Sequence, residues 1–143
     1  MKFSKILLTV MSAFVVILSV VYVYLVYFGI PRDAVSNTYD AIKNGDFPKL
    51  SRNSVEKTTA KFAMEALKNC SADKKSYDKD DMGLINVCLI EKYGKINVKK
   101  IDVGLVSQNE ADANVTIEDG EKEYVASFKV VKIENIWKVD IRK

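Results

Sequence analysis

The sequence predicts an α+β protein: an N-terminal transmembrane helix, then three helices packed on a curved sheet of four antiparallel strands. Three observations predict it. Residues 6–30 contain no charged side chain. Apolar residues in the middle of the chain recur at helical spacing, and from Lys95 onward they alternate with polar ones.

The apolar segment comes first. As a helix, residues 6–30 extend about 37 Å, enough to cross a hydrocarbon core of about 30 Å with some tilt. A cleavable signal peptide has a shorter apolar core ending in small residues, whereas this one ends in the bulky YVYLVYFGIPR. The reading is therefore an uncleaved signal anchor, with residues 1–30 as cytoplasmic tip and span and residues 31–143 as the exported domain. Lys2 and Lys5 precede the span, while Arg32 beyond it is neighboured by Asp33. That asymmetry keeps the N-terminus cytoplasmic. Tyr22, Tyr24 and Tyr27 cluster at the outer end, where amphipathic rings favour the interface.

Charge and cysteine usage narrow the function classes. The 143-residue chain carries 22 basic and 19 acidic residues. Setting aside Lys2 and Lys5 leaves 20 basic against 19 acidic residues for the exported part, a mixed surface without a basic stripe. Nucleic-acid binding has no support in that balance. Cys70 and Cys88 are the only cysteines. Export to an oxidising compartment favours a disulfide between them, with a pair of buried free thiols as the alternative. No histidine exists in the chain, and two cysteines alone make a poor zinc site, so no metal or other cofactor is expected.

After the span, Pro31 and Asp33 suit a first helical turn. Val35, Tyr39 and Ile42 form one face of an amphipathic helix that Asn44 and Gly45 end. Asp46, Phe47 and Pro48 open a short second helix or turn. A stronger helix follows to about Cys70, with Asn53 and Glu56 spaced as a capping box and Val55, Thr59, Phe62, Ala63, Ala66 and Leu67 as its buried face. SADKKSYDKDD is aperiodic and charged, an exposed loop. A further helix spans residues 81–93, carries Leu84, Ile85, Cys88, Leu89 and Lys92, and closes at Gly94.

Four strands then alternate. Their inward sets are Ile101, Val103 and Leu105; Ala113, Val115 and Ile117; Tyr124, Ala126, Phe128 and Val130; and Trp137, Val139 and Ile141. Asp119 with Gly120 is a tight-turn signal, and Glu134 with Asn135 a weaker one. Ile96 and Val98 are out of phase with Ile101, which requires a bulge near Lys99 and Lys100.

Two stretches carry a family resemblance. YDAIKNGDF resembles the "fy.Al..gDf" opening of small bacterial envelope proteins in the nuclear-transport-factor-like (cystatin-like) superfamily, the lumazine-binding-like and DUF-type secreted domains. ADANVTIEDGEKEYVASFKVVKIENIWKVDI resembles their closing strands, although Asn135 and Ile136 stand where a glycine often precedes the tryptophan. The resemblance covers nearly all of residues 31–143 and its motifs are mostly structural. It implies a cone between sheet and helices, in which enzymatic relatives hold a buried Asp, Tyr or His.

The residues argue against an enzyme. Histidine is absent, none of the inward strand positions is a carboxylate, and Asp46 is placed as a helix cap. Asp78, Asp80 and Gly83 mimic a calcium loop, but Met82 and Leu89 occupy ligand positions. The glycosylation-like triplets at Asn69 and Asn114 are coincidental in a bacterial-looking chain. Tyr39, Phe62, Tyr124, Phe128 and Trp137 either fill the core or line an apolar pocket at the wide end of the cone.

The expectation is a non-enzymatic binding or scaffolding module, anchored in a bacterial inner membrane through residues 6–30. It faces the periplasm or cell exterior, with an envelope protein as partner. A small apolar ligand held in the cone, or a tethered immunity or inhibitor protein, is the alternative.

Overall fold

The computed structural model describes residues 2–24, 30–72 and 81–141. Tyr27, most of the charged loop, and Asp78 and Asp80 of the calcium-like stretch lie outside the described residues. The chain is α+β, in the order α1 (Lys2–Tyr24), α2 (Ile30–Asn44), α3 (Phe47–Asn53), α4 (Glu56–Lys68), α5 (Asp81–Tyr93), β1 (Ile96–Ser107), β2 (Glu110–Asp119), β3 (Lys122–Ile133) and β4 (Ile136–Asp140). Among the described residues four helices, not three, accompany the sheet, because the Asp46 turn opens a helix of its own.

Within α1, Ser4–Tyr24 has a mean hydropathy of 2.7 and none of it is buried. A helix so placed and so apolar is what a single-pass anchor and a signal sequence have in common.

The corner after α2 is closed by backbone geometry. Gly45 adopts φ +66°, and the Asp46 N–H donates to the Ala41 carbonyl at 2.8 Å, the six-to-one bond of a Schellman motif. A side chain at Gly45 would meet a second obstacle besides the positive φ. A Cβ there would lie 2.3 Å from the Asn86 carbonyl oxygen and 2.6 Å from Ile90 Cγ1. The corner is thereby pressed onto α5, where Asn86 Oδ1 also accepts the Phe47 N–H at 2.9 Å. Asp46 caps α3 by accepting the Lys49 N–H at 3.0 Å, and Pro48 occupies its first turn, where no N–H is needed.

Asn53 does not cap α4. It is the last residue of α3, and its amide donates back to the Lys49 carbonyl at 2.8 Å. The N-cap of α4 is Val55, which has no side-chain cap bond. The reason is tertiary: Ser54 bridges Val139 in parallel, and the Val55 N–H donates to the Val139 carbonyl at 2.9 Å. This pairing draws the junction into an extended conformation and covers part of the edge of β4. Thr58 completes the seam by accepting the Ile141 N–H at 2.8 Å.

The sheet is an open antiparallel meander in the order β1-β2-β3-β4. Its register slips between Val98 and Lys100, so Lys99 is the bulged residue, and again between Leu105 and Ser107. Gly120 takes φ 65° in the β2–β3 turn; Glu134 and Asn135 take φ 50° and 64° in the β3–β4 turn. Two consecutive positive φ values are what a two-residue primed turn requires.

Helices cover one face of the sheet. Ala111, Ala113, Val115, Ile117, Val130 and Val139 lie buried under Val35, Ile42, Leu50 and Leu89 in one apolar cluster. The other face carries polar pairs beside exposed aliphatic residues such as Val125 and Ile133: Lys129 pairs with Glu110, Lys99 with Glu118 at 2.9 Å, and Ser127 donates to Asn114 Oδ1 at 2.6 Å. The hydrogen bond from Lys99 holds the Glu118 carboxyl below its ordinary range.

Candidate functional site

An open groove of about 270 Å³ lies where helices and sheet part company, at the Tyr124 end of β3. Each element contributes by its own periodicity. Tyr39 and Ile42 come from successive turns of the buried face of α2, and Lys61, Phe62 and Glu65 from one stripe of α4. Tyr93 closes α5, and Ile96, Ile117 and Ala126 form the floor as inward residues of three adjacent strands.

The aromatic rings are mutually supported. Phe62 and Tyr93 meet edge to face, centroids 5.6 Å apart, and Tyr39 packs on Phe128 at 6.3 Å. The Tyr93 hydroxyl donates to Glu65 Oε2 at 3.1 Å, tying α5 to α4 across the rim. Burial pushes the Tyr39 phenol well above its ordinary value of 10.0, with a smaller contribution from Tyr124. Burial does the same for Tyr93, reinforced by the Glu65 carboxylate. Tyr124 is raised by burial first and by Asp119 second. All three phenols therefore stay neutral at physiological pH and can donate or accept hydrogen bonds.

Of the five aromatic candidates, Tyr39, Phe62 and Tyr124 line the groove. Phe128 and Trp137 do not. Phe128 stands behind Tyr39, 8% exposed, and Trp137 lies in the core at 2% exposure. The Trp137 indole N–H has no hydrogen-bond partner among the described residues, and the Lys132 ammonium sits 5.7 Å from its ring centroid. Sequence reasoning passed over Tyr93, Lys61 and Glu65. The signal was present: Lys61 and Glu65 flank Phe62 on α4, and Tyr93 falls four residues after buried Leu89.

The Cys70 and Cys88 sulfurs are joined in a disulfide, with Cα atoms 5.4 Å apart. The bond ties the end of α4 to the middle of α5, and Glu91 accepts hydrogen bonds from the Ser71 N–H and hydroxyl beside it. A smaller depression of about 170 Å³ adjoins the bond and shares Glu65 with the groove. Among the described residues, no group of three or more His, Cys, Asp or Glu side chains is placed to hold a metal.

A family model described as a domain of unknown function, DUF4878, matches residues 27–140. The chain belongs to the DUF4878 family. The match begins beyond α1, so the DUF4878 domain comprises the helices and sheet that enclose the groove, together with the disulfide. No curated protein matches the chain.

Proposed function

We propose that this DUF4878 protein is a membrane-anchored, extracytoplasmic binding module of the bacterial envelope, and that the groove is its binding site. The observation that carries the reading is the groove itself: an apolar floor rimmed by three neutral phenols, Lys61 and Glu65. Such a surface buries an apolar body and orients it by a few hydrogen bonds. At about 270 Å³ it suits a small apolar molecule or one apolar side chain of an envelope partner.

Anchoring is supported by the uncharged run of residues 6–30 and by Lys2 and Lys5 before it. Export is supported by the disulfide, which persists in oxidising compartments. The same reading takes the domain as a nuclear-transport-factor-like cone, supported by helices on one face of a single meander and by the bulged first strand. Among the described residues, Glu65 is the only carboxylate lining the groove and is engaged by Tyr93, which favours binding over acid–base chemistry.

Native mass spectrometry of the full chain, extracted in mild detergent, tests this. Wild type is expected to retain a small-molecule or peptide mass that Ala126→Trp, which fills the groove from its floor, does not. A wild-type protein carrying nothing, and a filled variant that supports growth of the source cell as wild type does, would count against the groove as a binding site.

A further inference from the structure

The two ends of the sheet expose different chemistry. Opposite the groove, the β1–β2 turn at Gln108 and Asn109 lies beside the β3–β4 turn at Glu134 and Asn135, and the Lys132 N–H donates to the Asn109 carbonyl at 2.8 Å. Ile133 and Ile136 are cross-strand partners at this end, 45% and 54% exposed. Val106, at the second register slip of β1, is 58% exposed. An exposed aliphatic pair is ordinary by itself, so what lies opposite it must come from the path of the chain.

That path leads to the membrane. α2 runs against β3: Ile42 shares the groove with Tyr124, and the Tyr39 ring packs on Phe128 further along the strand. Stepping back from Tyr39 to Ile30 covers about 14 Å of helix. Stepping on from Phe128 to Ile133 covers about 17 Å of strand. Both steps arrive at the same end of the domain. Only residues 25–29 separate α1 from α2, and a chain that short reaches about 20 Å at most. With α1 in a bilayer, Ile30 and the end of the domain it marks stay within about 20 Å of the surface.

We propose that the paired-turn end of the domain docks on the bilayer that holds α1, seating Ile133, Ile136 and Val106 among the headgroups and upper acyl chains. The proposal rests on the reading of α1 as an anchor. Among the described residues at this end, Lys129, Lys132 and Lys138 stand against Glu110, Asp112, Glu134 and Asp140, so the contact is apolar and does not need anionic lipid. Docking in this way points the groove away from the membrane, so that its ligand arrives from the aqueous compartment and not from the lipid.

The test uses the full chain with its disulfide intact, carrying Ile136→Cys or Glu121→Cys labelled with the fluorophore NBD. The protein is reconstituted in phosphatidylcholine vesicles with and without phosphatidylglycerol. The label at 136 is expected to emit at shorter wavelength, and to be quenched by nitroxide lipids several-fold more strongly than the label at 121, in both mixtures. Aqueous emission at both sites would overturn the proposal, as would stronger quenching at 121. So would quenching at 136 that needs phosphatidylglycerol, or a blue shift at 136 without lipid quenching, which signals a protein contact. Alkaline carbonate extraction of the same vesicles separates the two readings. A chain that washes out refutes the anchor and the docking with it; a chain that stays while position 136 remains aqueous refutes the docking alone.

Discussion

The helix layer contains two corners built on different physics. Between α2 and α3 the chain turns through Gly45 and Asp46 with a Schellman bond and a side-chain cap, and the contact with α5 leaves no room for a Cβ. Between α4 and α5 the Cys70–Cys88 disulfide holds the helices, whose outer surfaces leave Met64, Met82 and Val87 exposed. One corner is specified by steric fit and the other by a covalent bond. The groove lies between them, with Tyr39 and Ile42 on the fitted side and Phe62, Glu65 and Tyr93 on the stapled side.

The largest effect is expected at the fitted corner. Gly45→Ala combines the left-handed penalty with overpacking against a backbone carbonyl, about 4 kcal/mol together. Urea unfolding of the oxidised protein measures it. A loss below about 1 kcal/mol would mean that α5 yields easily and that the corner is not sterically specified.

The stapled corner comes next. Replacing both Cys70 and Cys88 with alanine opens a loop closed over a sequence separation of 18 and should cost about 3 kcal/mol. The cost has a location. Hydrogen exchange in α4 and the end of α5 should accelerate, while α2 stays protected, because the fitted corner does not depend on the bond. Uniform acceleration across all helices would show that the two corners are one cooperative unit.

How much of this was legible follows from what each signal measures. Gly45 and Asp46 were readable because a left-handed glycine followed by a capping aspartate acts locally. The Lys99 bulge was readable because a phase error of one residue reverses the faces of a strand. The Asn53 capping box misled for the converse reason: pairing of Ser54 and Val55 with Val139, far along the chain, overrode a local preference. In the site, alternation identified the inward face but not the position along the sheet. Tyr124 and Trp137 look alike by period, yet one stands 47% exposed at the groove and the other is buried near the opposite end. Tyr93 was missed because its role comes from the approach of α5 to α4, a tertiary relation that no spacing encodes.

The smallest expected effect separates the two sides of the groove by pH. The ordinary tyrosine value is 10.0, and burial lifts Tyr39 well above it in the folded protein. Below pH 10 folded and unfolded states both keep this proton, so its contribution is fully present and independent of pH. Above pH 10 the unfolded state releases the proton and the folded state retains it, so stability falls as pH rises, by at most about 1.4 kcal/mol per pH unit for one group. Tyr39→Phe keeps the ring against Phe128 and removes this dependence. Between pH 9 and 11 the variant should lose about 1 kcal/mol less than wild type in urea unfolding. Tyr93→Phe should show a weaker benefit, since that ring is more exposed and the change also removes its bond to Glu65. Equal flattening by both substitutions would show that the stapled wall packs as tightly as the fitted one.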